Sequence, residues 1–183
     1  NHRSADVVKS ATATKRQNQP SYLEEADWLS ADRFPLPGSW VLERDISDDY
    51  PPFWVAFLRI TSPTNRRTMI AAPLPPAAVG DSVFLLRVGE VVNAPMILSQ
   101  LNSFVYDFVA RQKVAGLNLN FFYVRQLPVL SPEIIFGFQS FVTSRVLELG
   151  YTSRDMISFS RSLGEEREPF QWNSERRLVM PPR

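Results

Sequence analysis

The chain of 183 residues contains no cysteine, which excludes disulfides, thiolate nucleophiles and thiolate metal sites and fits a reducing cytoplasm. It has a single histidine, His2, in a polar N-terminal stretch, which argues against histidine-based triads and histidine-rich metal sites. Glycine is sparse: the seven glycines are scattered, and none builds the strand-to-helix turn that cradles a nucleotide or methyl-donor cofactor. Lysine is rarer still, with Lys9, Lys15 and Lys113 alone, so the acids Asp45, Asp48 and Asp49 lack the lysine that a metal-dependent nuclease pairs with them. Without a usable histidine, the abundant serines have no ordinary general base. The longest apolar runs are too short to span a bilayer, and no signal peptide is visible.

At 44% hydrophobic residues and a net charge of +1, there is enough apolar material for one core and no global attraction to polyanions. Residues 1–20 are polar and basic and are expected to form a flexible lead-in. "SYLEEADWLSADR" reads as a short helix capped by Ser21, followed by a break at Pro35, Pro37 and Gly38. Three strand-like runs follow, at 53–60, 67–74 and 82–88, each rich in β-branched or aromatic residues and bounded by Pro, Gly or Asn. In "APMILSQLNSFVYDFVARQ" the period changes to helical, with Ile97, Leu101, Phe104, Val105, Phe108 and Val109 on the apolar positions and Gly116 closing the region. "LNFFYVRQLPV" reads as a strand. "PEIIFGFQSFVTSRVLELGY" reads as a second amphipathic helix from Pro132 to Gly150, and "SRDMISFSRSLG" as a third with Ser153 as cap and Gly164 as stop. Strands first and helices afterwards predict an α+β domain over 21–164, a small mixed or antiparallel sheet against several helices, with a charged tail over 165–183.

"DDYPPF", residues 48–53, resembles the Asp/Asn-Pro-Pro-aromatic loop of amino-methyltransferases, but Tyr50 separates the acid from the prolines and misplaces the acceptor. A proline turn before a strand is the simpler reading. The charge pattern is more informative. No acid occurs from Tyr50 to Gly80, where Arg59, Arg66 and Arg67 lie, nor from Phe108 to Pro132, where Arg111, Lys113 and Arg125 lie. If the fold brings these stretches together, a basic face results despite the balanced total. Guanidinium groups suit phosphates and guanine edges, and asparagine amides suit adenine edges. Asn118 and Asn120 can also tie down a turn through side-chain to backbone bonds, and Phe121 and Phe122 are expected in the core rather than as stacking platforms.

Three long motifs add to this reading. "LNSFVYDFVARQKVAGLNLNFFYVRQLPV" follows "TNRRTMIAAPLPPAAVGDS", and "RVLELGYTSRDMISFSRSLG" follows in turn. Jointly they resemble the C-terminal region of large restriction–modification DNA adenine methyltransferases, the single-chain type IIG and type IIL-like enzymes and related phage-defence methyltransferases. The resemblance runs from about Trp54 to Arg177. It implies a target-recognition portion that reads double-stranded DNA while a separate domain, using S-adenosylmethionine, methylates adenine at N6. The chain starts with Asn, stops at "LVMPPR" and reads as a piece of something longer, with no catalytic, cofactor or metal residue of its own.

The residues expected to touch DNA are Arg66, Arg67, Arg111, Lys113, Asn118, Asn120 and Arg125, with Arg111 and Lys113 as phosphate clamps at a helix end. Asn102 is expected to bond a neighbouring backbone, and Thr68, Ile70 and Ala71 to form a buried strand. The competing expectation is a docking module that packs on the catalytic domain or a partner subunit, using Phe136, Phe138 and Phe141.

Overall fold

The computed structural model describes residues 5–8, 19–35, 40–47 and 49–171; His2, the break at Pro37 and Gly38, Asp48, and the tail from Trp172 onward lie outside the described residues. A two-stranded antiparallel pair comes first, β1 (Ala5–Val8) against β2 (Gln19–Tyr22), with Ala5 opposite Tyr22. Ser21 therefore lies in a strand. The following helix α1 (Glu25–Leu29) starts later than the sequence suggests, with Glu24 and Asp27 forming a reciprocal capping box.

The central sheet has the order β4-β3-β5 and is antiparallel throughout, with β3 (Trp54–Leu58) between β4 (Ala71–Leu74) and β5 (Val83–Leu86). Burial explains the order. Val55, Ala56 and Phe57 are all buried, as a central strand requires, whereas Pro73 stands opposite Val55 on an edge strand, where its missing N–H costs no ladder bond. Of the residues expected in a buried strand, Thr68 and Ala71 are buried, but Ile70 is 44% exposed and the strand begins only at Ala71.

The helical half follows: α2 (Ala94–Leu101), α3 (Phe104–Lys113), α4 (Phe121–Val124), α5 (Pro132–Ile135), α6 (Gln139–Gly150) and α7 (Ile157–Ser162). With the antiparallel sheet this makes an α+β fold. The expected helix over 94–112 is two helices. Ser103 breaks it, extended at φ −68°, ψ 151°, its hydroxyl accepting the Tyr106 N–H at 3.1 Å as the cap of α3. The expected strand at 119–129 instead contains the short helix α4: Tyr123 and Val124 donate to the Asn120 carbonyl and Arg125 to that of Phe121. This turn lets Phe121 stack on Phe84 of β5 at 4.5 Å and meet Phe57 edge-on at 5.5 Å.

α2 lies along α6, and Leu98, Leu101 and Leu147 join Val55, Phe57, Met69, Tyr151 and Phe159 in one core. Gly150 permits the closest approach: a Cβ there would lie 2.9 Å from Cγ of Pro73, so the α6 backbone can sit against the edge strand only without a side chain. Ser153 precedes a 3-10 turn rather than capping a long helix, its hydroxyl bonding the Asp155 carboxylate, and Gly164 ends the last helix with φ of 78°. Phe170 folds back, its N–H donating to the Tyr151 carbonyl at 2.9 Å.

Candidate nucleic-acid interface

The loop after β3 and the turn after α3 meet at one end of the sheet. Thr61 N–H donates to the Leu117 carbonyl at 3.0 Å, Leu119 N–H donates to the Arg59 carbonyl at 2.7 Å, and Ile60 faces Asn118 as an antiparallel bridge. The two acid-free stretches are thus joined through their backbones. Hydroxyls close the loop "TSPTNRRT": Thr61 Oγ1 donates to the Thr68 carbonyl at 2.7 Å, and Thr68 Oγ1 to that of Ser62 at 3.3 Å.

The loop is anchored on a buried acid. Asp107 of α3 is only 5% exposed, and its Oδ1 accepts the backbone N–H groups of Thr68 and Met69, both at 2.8 Å. Arg111, one turn on, donates to Asp107 Oδ2 at 3.1 Å and to the carbonyls of Pro63 at 2.8 Å and Arg66 at 3.1 Å. Arg67 stands 3.6 Å from Asp107 Oδ1 and donates to the Asn102 carbonyl at 2.7 Å. Burial pushes the Asp107 carboxyl up, but the Met69 N–H, the Arg111 guanidinium, the Thr68 N–H and the Arg67 charge outweigh it and hold the group below its usual range. Both carboxylate oxygens therefore have donors, the condition under which a buried ion pair is stable. Nearby, Asn102 mimics a strand neighbour, donating from Nδ2 to the Ala71 carbonyl at 3.0 Å and accepting the Ala71 N–H at 3.2 Å.

The seven sequence-nominated residues thus fall into two groups. The guanidinium groups of Arg67 and Arg111 are committed to Asp107 and to backbone carbonyls. Arg66, Lys113, Asn118, Asn120 and Arg125 are exposed, and their side chains make no hydrogen bond or ion pair among the described residues. Arg66 lies in the anchored loop, Lys113 ends α3, Asn118 forms the bridge, Asn120 precedes α4 and Arg125 follows it. Arg59, at the same end, pairs with the Asp81 carboxylate.

Sequence reasoning passed over the residues that organise this end. Asp107 lies just before the acid-free stretch that starts at Phe108 and is not among the nominated residues, although its position four residues before Arg111 is the signature of a helical ion pair. Phe104, Val105 and Phe108 occupied the apolar positions of a core helix, yet they are 84%, 76% and 64% exposed, while Tyr106, Asp107 and Ala110 face inward. Phe122, expected in the core, is 71% exposed.

Residues 49–53 of "DDYPPF" line a cavity of about 330 Å³ with Leu86 and Arg87. Asp49 is clamped there by Arg87 through two bonds at 2.6 and 2.7 Å, which hold its carboxyl below the usual range, and the Tyr50 hydroxyl donates to the Ala77 carbonyl at 2.9 Å. Its acid is thus committed to a structural pair. Among the described residues no cluster of potential metal ligands occurs, and no helix is long and apolar enough to cross a membrane.

Comparison with family models, with curated proteins and with solved structures finds no match for this chain.

Proposed function

We propose that the chain is the DNA sequence-recognition portion of a restriction–modification adenine-N6 methyltransferase, working beside a catalytic domain that binds S-adenosylmethionine. What carries the reading is the junction of the two acid-free stretches. Arg66 and Lys113 stand free on a loop and helix end that Asp107 holds rigid, with Asn118, Asn120 and Arg125 following on the same connected segment. The resemblance of the three long motifs supplies the enzyme class. Arg67 and Arg111 act here as struts, and the exposed cations supply the phosphate contacts, which position a duplex without specifying its sequence.

The test is a salt titration of duplex binding with the wild-type chain and Arg66→Ala/Lys113→Ala/Arg125→Ala. Each lost phosphate interaction lowers the slope of log affinity against log salt by about 1. A variant with unchanged affinity and slope removes these residues from the interface, and a wild-type chain that binds no duplex at low salt defeats the reading.

A second reading is favoured by a separate observation. Ile134, Phe136, Phe138 and Phe141 are exposed around α5 and the start of α6, an apolar surface suited to docking on the catalytic domain. On that reading the isolated chain binds no DNA and gains binding only when joined to that domain.

A further inference from the structure

We propose that the exposed ridge of α3, Phe104 and Phe108 one turn apart, is a stacking platform for unpaired nucleobases, so that the chain holds DNA with opened bases in preference to an intact duplex. The inference rests on the DNA reading of the adjoining basic end and names the form of DNA that this end takes. Two phenylalanines kept in water forgo the burial that stabilises a core helix.

The ridge is interleaved with cations. The Arg67 guanidinium lies 5.1 Å from the centre of the Phe104 ring and is itself fixed by the Asn102 carbonyl and Asp107. Arg111, three residues after Phe108 and on the same side of the helix, is fixed by Asp107 and the Pro63 carbonyl. The rings therefore stand on a braced support, beside the loop that carries the free charge of Arg66. The acids that touch Arg59, Arg67 and Arg111 are Asp81 and Asp107, both already paired, so the rim offers an approaching surface positive charge and favours a polyanion over a protein of mixed charge.

Spacing selects the opened form. Side chains one helical turn apart start about 5–6 Å from each other, wider than the rise of about 3.4 Å between stacked bases along a strand. Neighbouring bases can each meet a ring only when the stack between them is broken. Aromatic stacking is indifferent to base identity, so such a platform adds affinity for opened DNA without reading sequence.

Fluorescence anisotropy separates the possibilities with three DNAs of equal length: an intact duplex, the same duplex with a central mismatched bubble, and a bubble whose bases are removed to leave abasic sites. The wild-type chain is expected to bind the mismatched bubble about tenfold or more tighter than either of the others. Phe104→Ala/Phe108→Ala erases that preference and leaves intact-duplex affinity unchanged, while Phe104→Trp keeps the preference. Equal binding of bubble and duplex by the wild type, a preference that survives the double substitution, or loss of all DNA binding in a folded double variant overturns the inference while leaving the DNA reading intact. A wild-type chain that binds none of the three DNAs overturns the DNA reading and this inference with it.

Discussion

Helices α2 and α3 are consecutive, similar in length and similarly supplied with apolar residues, yet they are mounted in opposite senses. α2 turns Met96, Leu98 and Leu101 inward and lies against α6, as an amphipathic helix is expected to do. α3 turns Tyr106, Asp107 and Ala110 inward and leaves Phe104, Val105 and Phe108 in water. What fixes α3 is a carboxylate surrounded by donors, together with Tyr106 and Ala110, which join the core. Helical periodicity thus identifies a face, while the partners available to a buried charge decide which way that face points.

The inward residues of the two helices should therefore fail in different ways. The largest effect is expected at Asp107. Asp107→Ala leaves two guanidinium groups and two backbone N–H groups without their acceptor, at a cost of about 3–5 kcal/mol by urea unfolding. Because the folded-state carboxyl is depressed, its contribution is present above the unfolded value of about 3.9 and is lost as pH falls from there through the lower folded value. The wild type should lose stability in that acid window, and Asp107→Asn should remove this component. In α2, Leu98→Ala should cost about 2–5 kcal/mol through a cavity, with no matching change in acid sensitivity. A Leu98→Ala variant as stable as the wild type would show that α2 is not the core helix described.

Tyr106 offers a smaller test with the opposite sign. Its hydroxyl is buried with no hydrogen-bond partner among the described residues, and burial pushes the phenol up to about 12. An unsatisfied buried hydroxyl costs about 1–3 kcal/mol. Tyr106→Phe should therefore raise the unfolding midpoint, by the equivalent of about 1 kcal/mol; a fall would mean that the hydroxyl has found a partner such as ordered water.

The sheet was legible because its signals are local: β3 and β5 are runs of β-branched and aromatic residues, and Pro and Gly mark their ends. α4 was not, because "NFFYV" has strand composition, and only the packing of Phe121 between Phe84 and Phe57 favours a helical turn there. The break before α3 was written in the sequence as Ser103 ahead of an apolar run, but continuous periodicity across Asn102 and Ser103 concealed it. At the candidate site, the nomination of exposed cations depended only on charge pattern, which a linear reading sees. Which arginines are struts depends on the position of Asp107 against the loop at 62–69, a meeting of segments about 40 residues apart that no local pattern encodes. Asn102, by contrast, bonds the backbone as expected from its place at a helix end.

The smallest expected effect is also the most direct test of how α3 is mounted. Phe104→Ser/Phe108→Ser would be ruinous in a core helix, costing several kcal/mol on the scale of Phe→Ala cavities. Both rings stand in water, outside the core, so the change should stay within about 0.5 kcal/mol apart from a small loss of helix propensity. The Arg67 guanidinium over the Phe104 ring adds about 0.5–1 kcal/mol at most at an exposed site. Solubility should rise as the apolar ridge is removed. The two outcomes differ by several kcal/mol, so one unfolding curve decides between them. A large loss of stability would place the rings in the core and reverse the contrast between α2 and α3; a near-neutral result leaves the ridge free for a partner.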